Sequence, residues 1–144
     1  MPEIGAIDPS ELAFTEITNV FQRYISRQGN RIDPDGIACK QHAMHLLESL
    51  EKRTNVSRFA YGKVTKANPE GDNLKHKGGG VYNFHYFVIA TIGEDRYVLD
   101  PYLANRIDIP IRYETYLETA YENPEAVIFS TPQIPQNSRR TILY

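Results

Sequence analysis

Two segments rich in apolar and aromatic residues, separated by a short turn, constrain the fold more than any other feature of this 144-residue sequence. Val81–Ile92 is the longest near-continuous apolar run, and Arg96–Tyr102 follows it closely. Gly93 suits the first central position of a two-residue type II′ turn. The sequence therefore predicts an antiparallel β-hairpin at this place. The first segment is also too short to span a bilayer.

The register of this hairpin leads to a prediction about His85 and Asp100. With Gly93-Glu94 as the loop, Asp100 lies opposite Phe87. Because alternate residues of a strand share a face, His85 lies on the same face as Phe87 and becomes a diagonal neighbour of Asp100. A shift of one residue would move Asp100 to the other face. The predicted pairing of His85 with Asp100 therefore depends on the turn.

The single cysteine lies where a reactive thiol is expected. One cysteine excludes an intrachain disulfide framework, and a lone cysteine is often only a small buried hydrophobe. Cys39, however, falls in the first turn of a helix predicted over about 37–53 from the apolar spacing of Ala43, Leu46, Leu47 and Leu50. A helix N-terminus carries about half a positive charge and unpaired N–H groups, and both favour a thiolate. The same N–H groups can form an oxyanion hole.

A nucleophilic thiol needs a base, and the base needs an acceptor that orients it. His85 lies within the apolar strand, where an imidazole is costly unless it is hydrogen-bonded. The simpler interpretation of His85 is a core histidine that bonds to a backbone carbonyl. The predicted hairpin instead brings Asp100 beside it. We therefore predict Cys39 as nucleophile, His85 as base and Asp100 as the orienting group, with the Cys39 N–H in the oxyanion hole and no cofactor.

The other segments are predicted to complete a single α+β domain over residues 1–144, with an antiparallel sheet packed against the helix that carries Cys39. A first helix over 9–28 is capped by Asp8 and ended by Gly29. A turn-rich stretch at 30–36 leads to the second helix. We further expect strands at 58–65 and 126–130, a helix at 113–121, a polar Gly-rich loop at 66–80 that could act as a lid, and a loosely ordered tail at 131–144.

The composition narrows the class of protein. The formal net charge is −2 and lysine and arginine are not clustered, so we predict no nucleic-acid partner and no membrane partner. The first nine residues lack the basic-plus-apolar pattern of a secretory signal. We expect a protein that is cytoplasmic as synthesised, with signal-independent delivery to a host or rival cell as an open alternative. The oligomeric state is also open.

Three segments, taken in order, resemble the papain-like and transglutaminase-core thiol enzymes. Gly36–Ala43 resembles the nucleophile helix of that superfamily, and Arg58–Gly62 resembles the strand that follows it. His85 and Asp100-Pro101 resemble its histidine strand, turn and Asp-Pro strand. The similarity covers roughly residues 30–102. It implies a papain-like or transglutaminase-like core in which Cys39 attacks an amide or ester carbonyl, His85 transfers the proton and Asp100 holds the imidazole.

Differences from the named subgroups narrow this resemblance. The Cys-Gly-Ser-Cys-Trp motif of papain-type proteases is absent, and position 33, six before the cysteine, is Asp instead of their oxyanion Gln. The Arg-Gly-Gly stretch of arylamine N-acetyltransferases is absent too. Tyr86 stands where transglutaminases often have a Trp after the histidine. Small members of this kind resemble bacterial toxins and effectors that deamidate or cleave a protein. The resemblance thus implies a hydrolase acting on a protein substrate. We rank glutamine deamidation just above thiol protease activity, because a small domain more readily forms a slot for one side chain than an extended groove.

Two further interpretations stay open. Cys39, His42 and His45 follow one another at helical intervals and carry thiolate and imidazole ligands suited to zinc. Alternatively, the chain is a non-catalytic protein-binding module with a vestigial triad, since its 10 tyrosines would suit a recognition surface. Acyl transfer to an amine would use the same acyl-thioenzyme intermediate as hydrolysis.

Overall fold

A computed structural model describes residues 8–29, 32, 38–54 and 58–132. The predicted turn-rich stretch at 30–36 lies outside the described residues except for Ile32, as does the tail beyond 132. The described part is mixed α+β, with helices packed against an antiparallel sheet. This confirms the predicted fold class at that level.

The first helix has the bounds and the caps that the sequence predicts. Helix α1 spans Pro9–Gln28, and the Asp8 carboxylate accepts a hydrogen bond from the Ser10 N–H at 2.8 Å. Gly29 ends the helix with a positive φ of 52°, which favours glycine. Its buried face consists of apolar and aromatic residues at helical spacing, namely Ile17, Val20, Phe21 and Tyr24.

Helix α2 spans Cys39–Arg53, so Cys39 is its first residue. The buried stripe predicted for this helix is present, and Cys39 continues it at the N-terminal end. The helix packs on α1 and on the sheet. A hydrogen bond of 2.7 Å between the Tyr24 hydroxyl and Nδ1 of His42 joins the two helices in their buried interface. The start of α2 is therefore held in a fixed position relative to the sheet.

The main sheet has five strands in the order β6-β5-β4-β1-β7, and every neighbouring pair is antiparallel. In chain order its members are β1 (Arg58–Lys66), β4 (Phe84–Ile92), β5 (Asp95–Leu99), β6 (Ile111–Arg112) and β7 (Val127–Ser130). Strands β2 (Leu74–Lys75) and β3 (Val81–Tyr82) form a separate pair. The central position of β4 explains why the run predicted as the first hairpin strand is so apolar.

The predicted hairpin register is confirmed. Ile92 pairs with Asp95, and the pairing continues to Val88 opposite Leu99. Gly93 has a φ of 61°, the left-handed conformation that its place in the turn requires. Asp100 follows Leu99 directly, so the structure brings it to the face of the sheet that carries His85.

Three predicted elements differ from the observed ones by more than a residue or two at their ends. The segment 81–92 is divided at Asn83, where the chain passes from β3 to β4. The strand predicted up to Tyr102 stops at Leu99, and Pro101–Leu103 forms a 3₁₀ turn because the Asp100 side chain caps it. The predicted helix at 113–121 is a 3₁₀ turn followed by the short helix α3 (Tyr116–Ala120).

The segment 66–80 is not the freely hinged polar loop that we expected. It contains β2, and the side chains of Leu74 and His76 are buried. The Lys77 N–H donates to the Ala120 carbonyl at 2.7 Å, and the Lys75 N–H donates to Oδ1 of Asn123 at 3.0 Å. The segment is therefore hydrogen-bonded to α3 and to the chain that follows α3. It does not have the free hinge that we expected of a lid.

The main sheet separates two apolar clusters. One lies between the sheet and α1 with α2, and it includes Phe59, Tyr61, Val88 and Ala90 of the strands. The other lies on the opposite face beneath α3, and it includes Val64, Phe87, Val98 and Val127. His85 pairs with Val64 and shares its face, so His85 lies on the α3 side. Cys39 begins a helix on the other side.

Gly62 provides a test of the packing between β1 and β4. A Cβ atom at this position would overlap the ring of Phe87, which lies opposite it on β4. We expect Gly62→Ala to lower the free energy of unfolding by about 1–3 kcal/mol in urea denaturation, as overpacking does. Combining it with Phe87→Leu should cost less than the sum of the two single changes. Wild-type stability of Gly62→Ala would contradict the close approach of these two strands.

Candidate active site

Asp100 is fixed by the end of its own strand. Its backbone is extended, and its Oδ1 accepts a hydrogen bond of 3.0 Å from the Tyr102 N–H, which caps the 3₁₀ turn. The residue is 2% exposed. A carboxylate at this depth is costly unless hydrogen-bond donors surround it. The local sequence Asp-Pro-Tyr supplies the first of these donors.

His85 supplies the second donor. Its Nε2 lies 2.9 Å from Oδ1 of Asp100, and both side chains are fully shielded from solvent. Tyr82 stacks on the His85 ring at a centroid distance of 5.0 Å and 11° between planes, and Tyr102 meets it edge-on at 5.2 Å. The ring is thus held in one orientation, with Nδ1 on the side opposite Asp100. The structure therefore brings His85 and Asp100 together as the hairpin register predicts.

The Cys39 thiol lies next to the His85 ring at the edge of β4. Pairing with β5 ends at Val88, so the earlier residues of β4 are not covered by that strand. The Cys39 thiol interacts with His85 there and accepts a hydrogen bond from the Tyr86 N–H. Nδ1 of His85 is buried without a well-aligned hydrogen bond. Loose alignment between nucleophile and base is common before substrate binds.

The three side chains shift one another's protonation. Burial raises the pKa of the Cys39 thiol, but the hydrogen bond and positive charge of His85 and the Tyr86 N–H outweigh it, so the pKa is lowered. Burial lowers the pKa of His85, but the charge and hydrogen bond of Asp100 outweigh it and raise the pKa to about 9. Burial raises the pKa of Asp100, yet the nearby imidazoles hold it well below its usual range. These directions favour a thiolate–imidazolium pair next to a carboxylate.

The start of α2 places the N–H groups of a helix N-terminus beside the sulfur. Ala38 is the N-cap residue and makes no side-chain capping bond, and no acidic residue lies in the first turn. The first amides of a helix have no acceptor within the helix. In α1 the Asp8 side chain accepts a hydrogen bond from one such amide. The N-cap residue of α2 is Ala38, and its methyl side chain cannot do the same. The positive end of the helix therefore faces the thiol and any oxyanion formed on it.

His76 is the first of two side chains bonded to Asp100 that the sequence does not predict. Its Nε2 lies 2.8 Å from Oδ2 of Asp100, and its side chain is fully buried. The residue stands in a polar stretch, and the strand before it has only two residues. The available signal was the alternation of Leu74, Lys75 and His76, which is too short to predict a strand. The Tyr116 hydroxyl, which donates to the same Oδ2 at 2.7 Å, was likewise hidden in a helical pattern.

His76, His85 and Asp100 offer three possible metal-ligating atoms within 4.8 Å of one another. Both imidazoles, however, already bond to the carboxylate through Nε2. A cation between them would have to displace both of these protons. The geometry thus fits a hydrogen-bonded carboxylate better than a metal centre.

The other metal set considered from the sequence is not assembled. Cys39, His42 and His45 do not form a metal-ligating group in the described part of the chain. Nδ1 of His42 bonds to the Tyr24 hydroxyl, and His45 points to solvent. Among the described residues, moreover, no helix is long and apolar enough to cross a bilayer.

Comparisons with protein-family models, with curated proteins and with solved structures find no match. The chemistry of the site is therefore inferred from its own geometry. A thiolate beside an oriented imidazolium, with backbone donors at a helix N-terminus, is suited to nucleophilic attack on a carbonyl carbon.

The protonation of the pair can be measured by alkylation of Cys39 with iodoacetamide across pH. We expect the rate to rise through a pKa below the ordinary value of about 8.5, because His85 stays protonated up to about pH 9 and stabilises the thiolate. In His85→Ala the apparent pKa should move up. Exposed His45, on the same helix, provides the matched control His45→Ala, which should titrate like the wild type. The chain in denaturant gives the reference thiol.

A Cys39 thiol that is inert in the folded chain, or that titrates identically in the wild type and in His85→Ala, would contradict the thiolate–imidazolium pair. Circular dichroism of each variant separates this outcome from loss of the fold.

Proposed function

We propose that this protein is a thiol hydrolase that acts on a protein substrate and converts glutamine side chains to glutamate through a Cys39–His85–Asp100 triad. The observation that carries the proposal is the arrangement of these side chains, in which the His85 ring bonds to Asp100 through Nε2 and also interacts with the Cys39 thiol. Each group has the neighbour that its role in acyl transfer requires.

The order of the elements supports a papain-like or transglutaminase-like core. The nucleophile begins a helix, a long strand follows, and the base and the carboxylate lie on the next two strands of an antiparallel sheet. In this assignment α2, β1, β4 and β5 form the core, while α1 and α3 cover its two faces.

The reaction follows from the protonation of the pair. The Cys39 thiolate attacks the side-chain amide carbon, and the resulting oxyanion binds the N–H groups at the start of α2. The His85 imidazolium gives its proton to the departing nitrogen, which leaves as ammonia, and a thioester remains on Cys39. Neutral His85 then takes a proton from water, the hydroxide attacks the thioester, and the thiolate departs from the new carboxylic acid. The sum is amide plus water giving acid plus ammonia.

Burial of the nucleophile favours deamidation over proteolysis. Cys39 is 3% exposed and His85 is fully buried. A peptide bond would have to bring main chain on both sides down to the sulfur, whereas a glutamine side chain enters by its tip. A narrow approach therefore suits a carboxamide at the end of a flexible stem.

The sheet surface beside Cys39 supports a protein as the substrate. Phe84 and Ile128 are 48% and 47% exposed, and both pair with Thr65 on the face that α2 covers further along. The Lys63 ammonium lies 5.3 Å from the ring centre of Phe84, and Lys40 lies 5.6 Å from that of Tyr86. Apolar side chains between two cations fit a protein segment that carries both apolar and acidic residues.

The activity is tested by ammonia release from glutamine-containing proteins and peptides, with mass spectrometry to separate conversion of glutamine to glutamate from chain cleavage. We expect Cys39→Ala to lower the rate by at least about 10³-fold and Asp100→Asn by about 10²–10⁴-fold. The matched control is again His45→Ala. Cleaved peptides without ammonia release would favour the protease alternative. A reactive Cys39 without turnover on either substrate type would favour a binding module.

The surface predicts a charge preference. Of two glutamine peptides that differ only in flanking Glu or Lys residues, the acidic one should have the higher kcat/KM. Lys63→Glu should reduce or reverse this preference, by about two- to fivefold, through KM, since an exposed ion pair is weak. The control Lys52→Glu changes a lysine at the far end of α2, with its side chain 65% exposed, and should leave the ratio unchanged. Equal ratios in all three proteins would contradict this substrate surface.

A further inference from the structure

The Asp100 carboxylate has four hydrogen-bond donors, which is about the number that its lone pairs can accept. Oδ1 accepts from His85 and from the Tyr102 N–H, and Oδ2 accepts from His76 and from the Tyr116 hydroxyl. Rotation of a carboxylate about its terminal bond meets only a low intrinsic barrier. The two donors on Oδ2, together with the Tyr102 N–H on Oδ1, therefore fix the direction of Oδ1 and so the orientation of the His85 ring.

The proton on His76 is assigned by its second hydrogen bond. The Gly78 N–H donates to Nδ1 of His76 at 3.0 Å, so Nδ1 is an acceptor and carries no proton. Nε2 must then carry the proton that it donates to Asp100. A doubly protonated His76 would set two N–H groups against each other at Gly78. The ring thus acts as a neutral donor, and His85 alone supplies the positive charge.

The His76 ring lies among several other ionisable groups. They include Asp100 after β5, His85 on β4, Tyr82 on β3 and Tyr121 after α3, and the Tyr116 hydroxyl bonds to the same Oδ2 of Asp100 as His76 does. Burial raises the pKa of Tyr121 and of Tyr116 well above the ordinary value, so both phenols stay protonated. Asp100 is then the one anion among these groups, and His85 already neutralises it.

The turn at Gly78 keeps the His76 ring in place. A Cβ atom at Gly78 would overlap the Tyr102 carbonyl and would lie 2.8 Å from Nδ1 of His76. Asn105 holds the Gly78 carbonyl with a hydrogen bond of 3.1 Å, and the His76 N–H donates to Gly80 at 2.9 Å. The backbone around the ring is thus tied both to the turn that follows Asp100 and to itself.

We propose that His76 is a positioning residue for the thiol chemistry, a neutral Nε2–H imidazole that orients Asp100 and, through it, the His85 ring toward Cys39. This inference rests on the proposed function, because positioning Asp100 and His85 matters only if Cys39 is the nucleophile of the same site. It extends the Cys39–His85–Asp100 set to a fourth side chain that touches neither the substrate nor the nucleophile.

The test compares two substitutions by the pH dependence of Cys39 alkylation. In His76→Gln the amide can still donate near the Nε2 position, whereas His76→Met fills the space without a donor. We expect His76→Met to raise the apparent pKa of Cys39 by about one unit, which lowers the alkylation rate by about tenfold at pH values well below that pKa. His76→Gln should recover most of that rate, and the control His45→Gln should not change it.

The readout needs no substrate, so failure of the deamidation proposal would leave this test intact. Unchanged titration in a folded His76→Met would overturn the positioning role. Equal shifts in the Met and Gln variants would also overturn it, because they would assign the effect to ring packing instead of the donated proton. If the Met variant does not fold, ¹⁵N NMR of the histidine side chains in the wild type tests the proposal instead, because it reports which ring nitrogens carry a proton. We expect His76 to carry its proton on Nε2 alone while His85 is doubly protonated, and a doubly protonated His76 would refute the proposal.

Discussion

The buried Asp100 carboxylate is the group on which the arrangement of the site depends. Moving an ion of this size from water into the protein interior costs several kcal/mol even after relaxation. Four donors from four separate segments offset that cost: the strand β4, the turn after β5, the segment after β2 and the helix α3. Each of these segments must be in place for the carboxylate to remain charged at this depth. The short elements on the α3 side of the sheet therefore share one task, which is to supply hydrogen-bond donors to the Asp100 carboxylate.

The site combines residues from the two faces of the sheet. Asp100 and His85 lie on the α3 face, and Cys39 begins a helix on the opposite face. They can meet only where β4 has an uncovered edge, and β5 provides this edge because it stops at Leu99. The side-chain cap that ends β5 and turns the chain into Pro101–Leu103 comes from Asp100 itself. One residue thus ends the strand and orients the His85 ring.

The parts of this site that the sequence predicts are those set by local rules. Gly93 fixes the turn, the turn fixes the register, and the register relates His85 to Asp100 across only 15 residues. The bounds of α1 follow from Asp8 and Gly29 in the same way. Cys39 is predicted at a helix N-terminus because the apolar stripe of α2 points back to it.

The parts that the sequence does not predict depend on tertiary contacts of short elements. His76 reaches Asp100 from 24 positions away, out of a strand of two residues with no periodicity to detect. Tyr116 belongs to a helix of five residues whose pattern resembles that of any amphipathic segment. The division of 81–92 at Asn83 has the same origin, because β3 leaves the main sheet to pair with β2 beside His76. A buried polar residue is informative only when its partners are known, and those partners are set by the fold.

The charge balance of the site explains why the histidine pair needs two different protonation states. With Cys39 as thiolate, His85 as imidazolium and Asp100 as carboxylate, the three groups carry one excess negative charge, which the positive end of α2 partly offsets at the sulfur. Protonating His76 would neutralise that charge, but it would also give Asp100 a second cation to bond and would weaken its hold on His85. The hydrogen bond from Gly78 prevents this by occupying Nδ1. A neutral donor therefore strengthens the orientation of the carboxylate without competing for its charge, and His85 remains the cation that lowers the pKa of the Cys39 thiol.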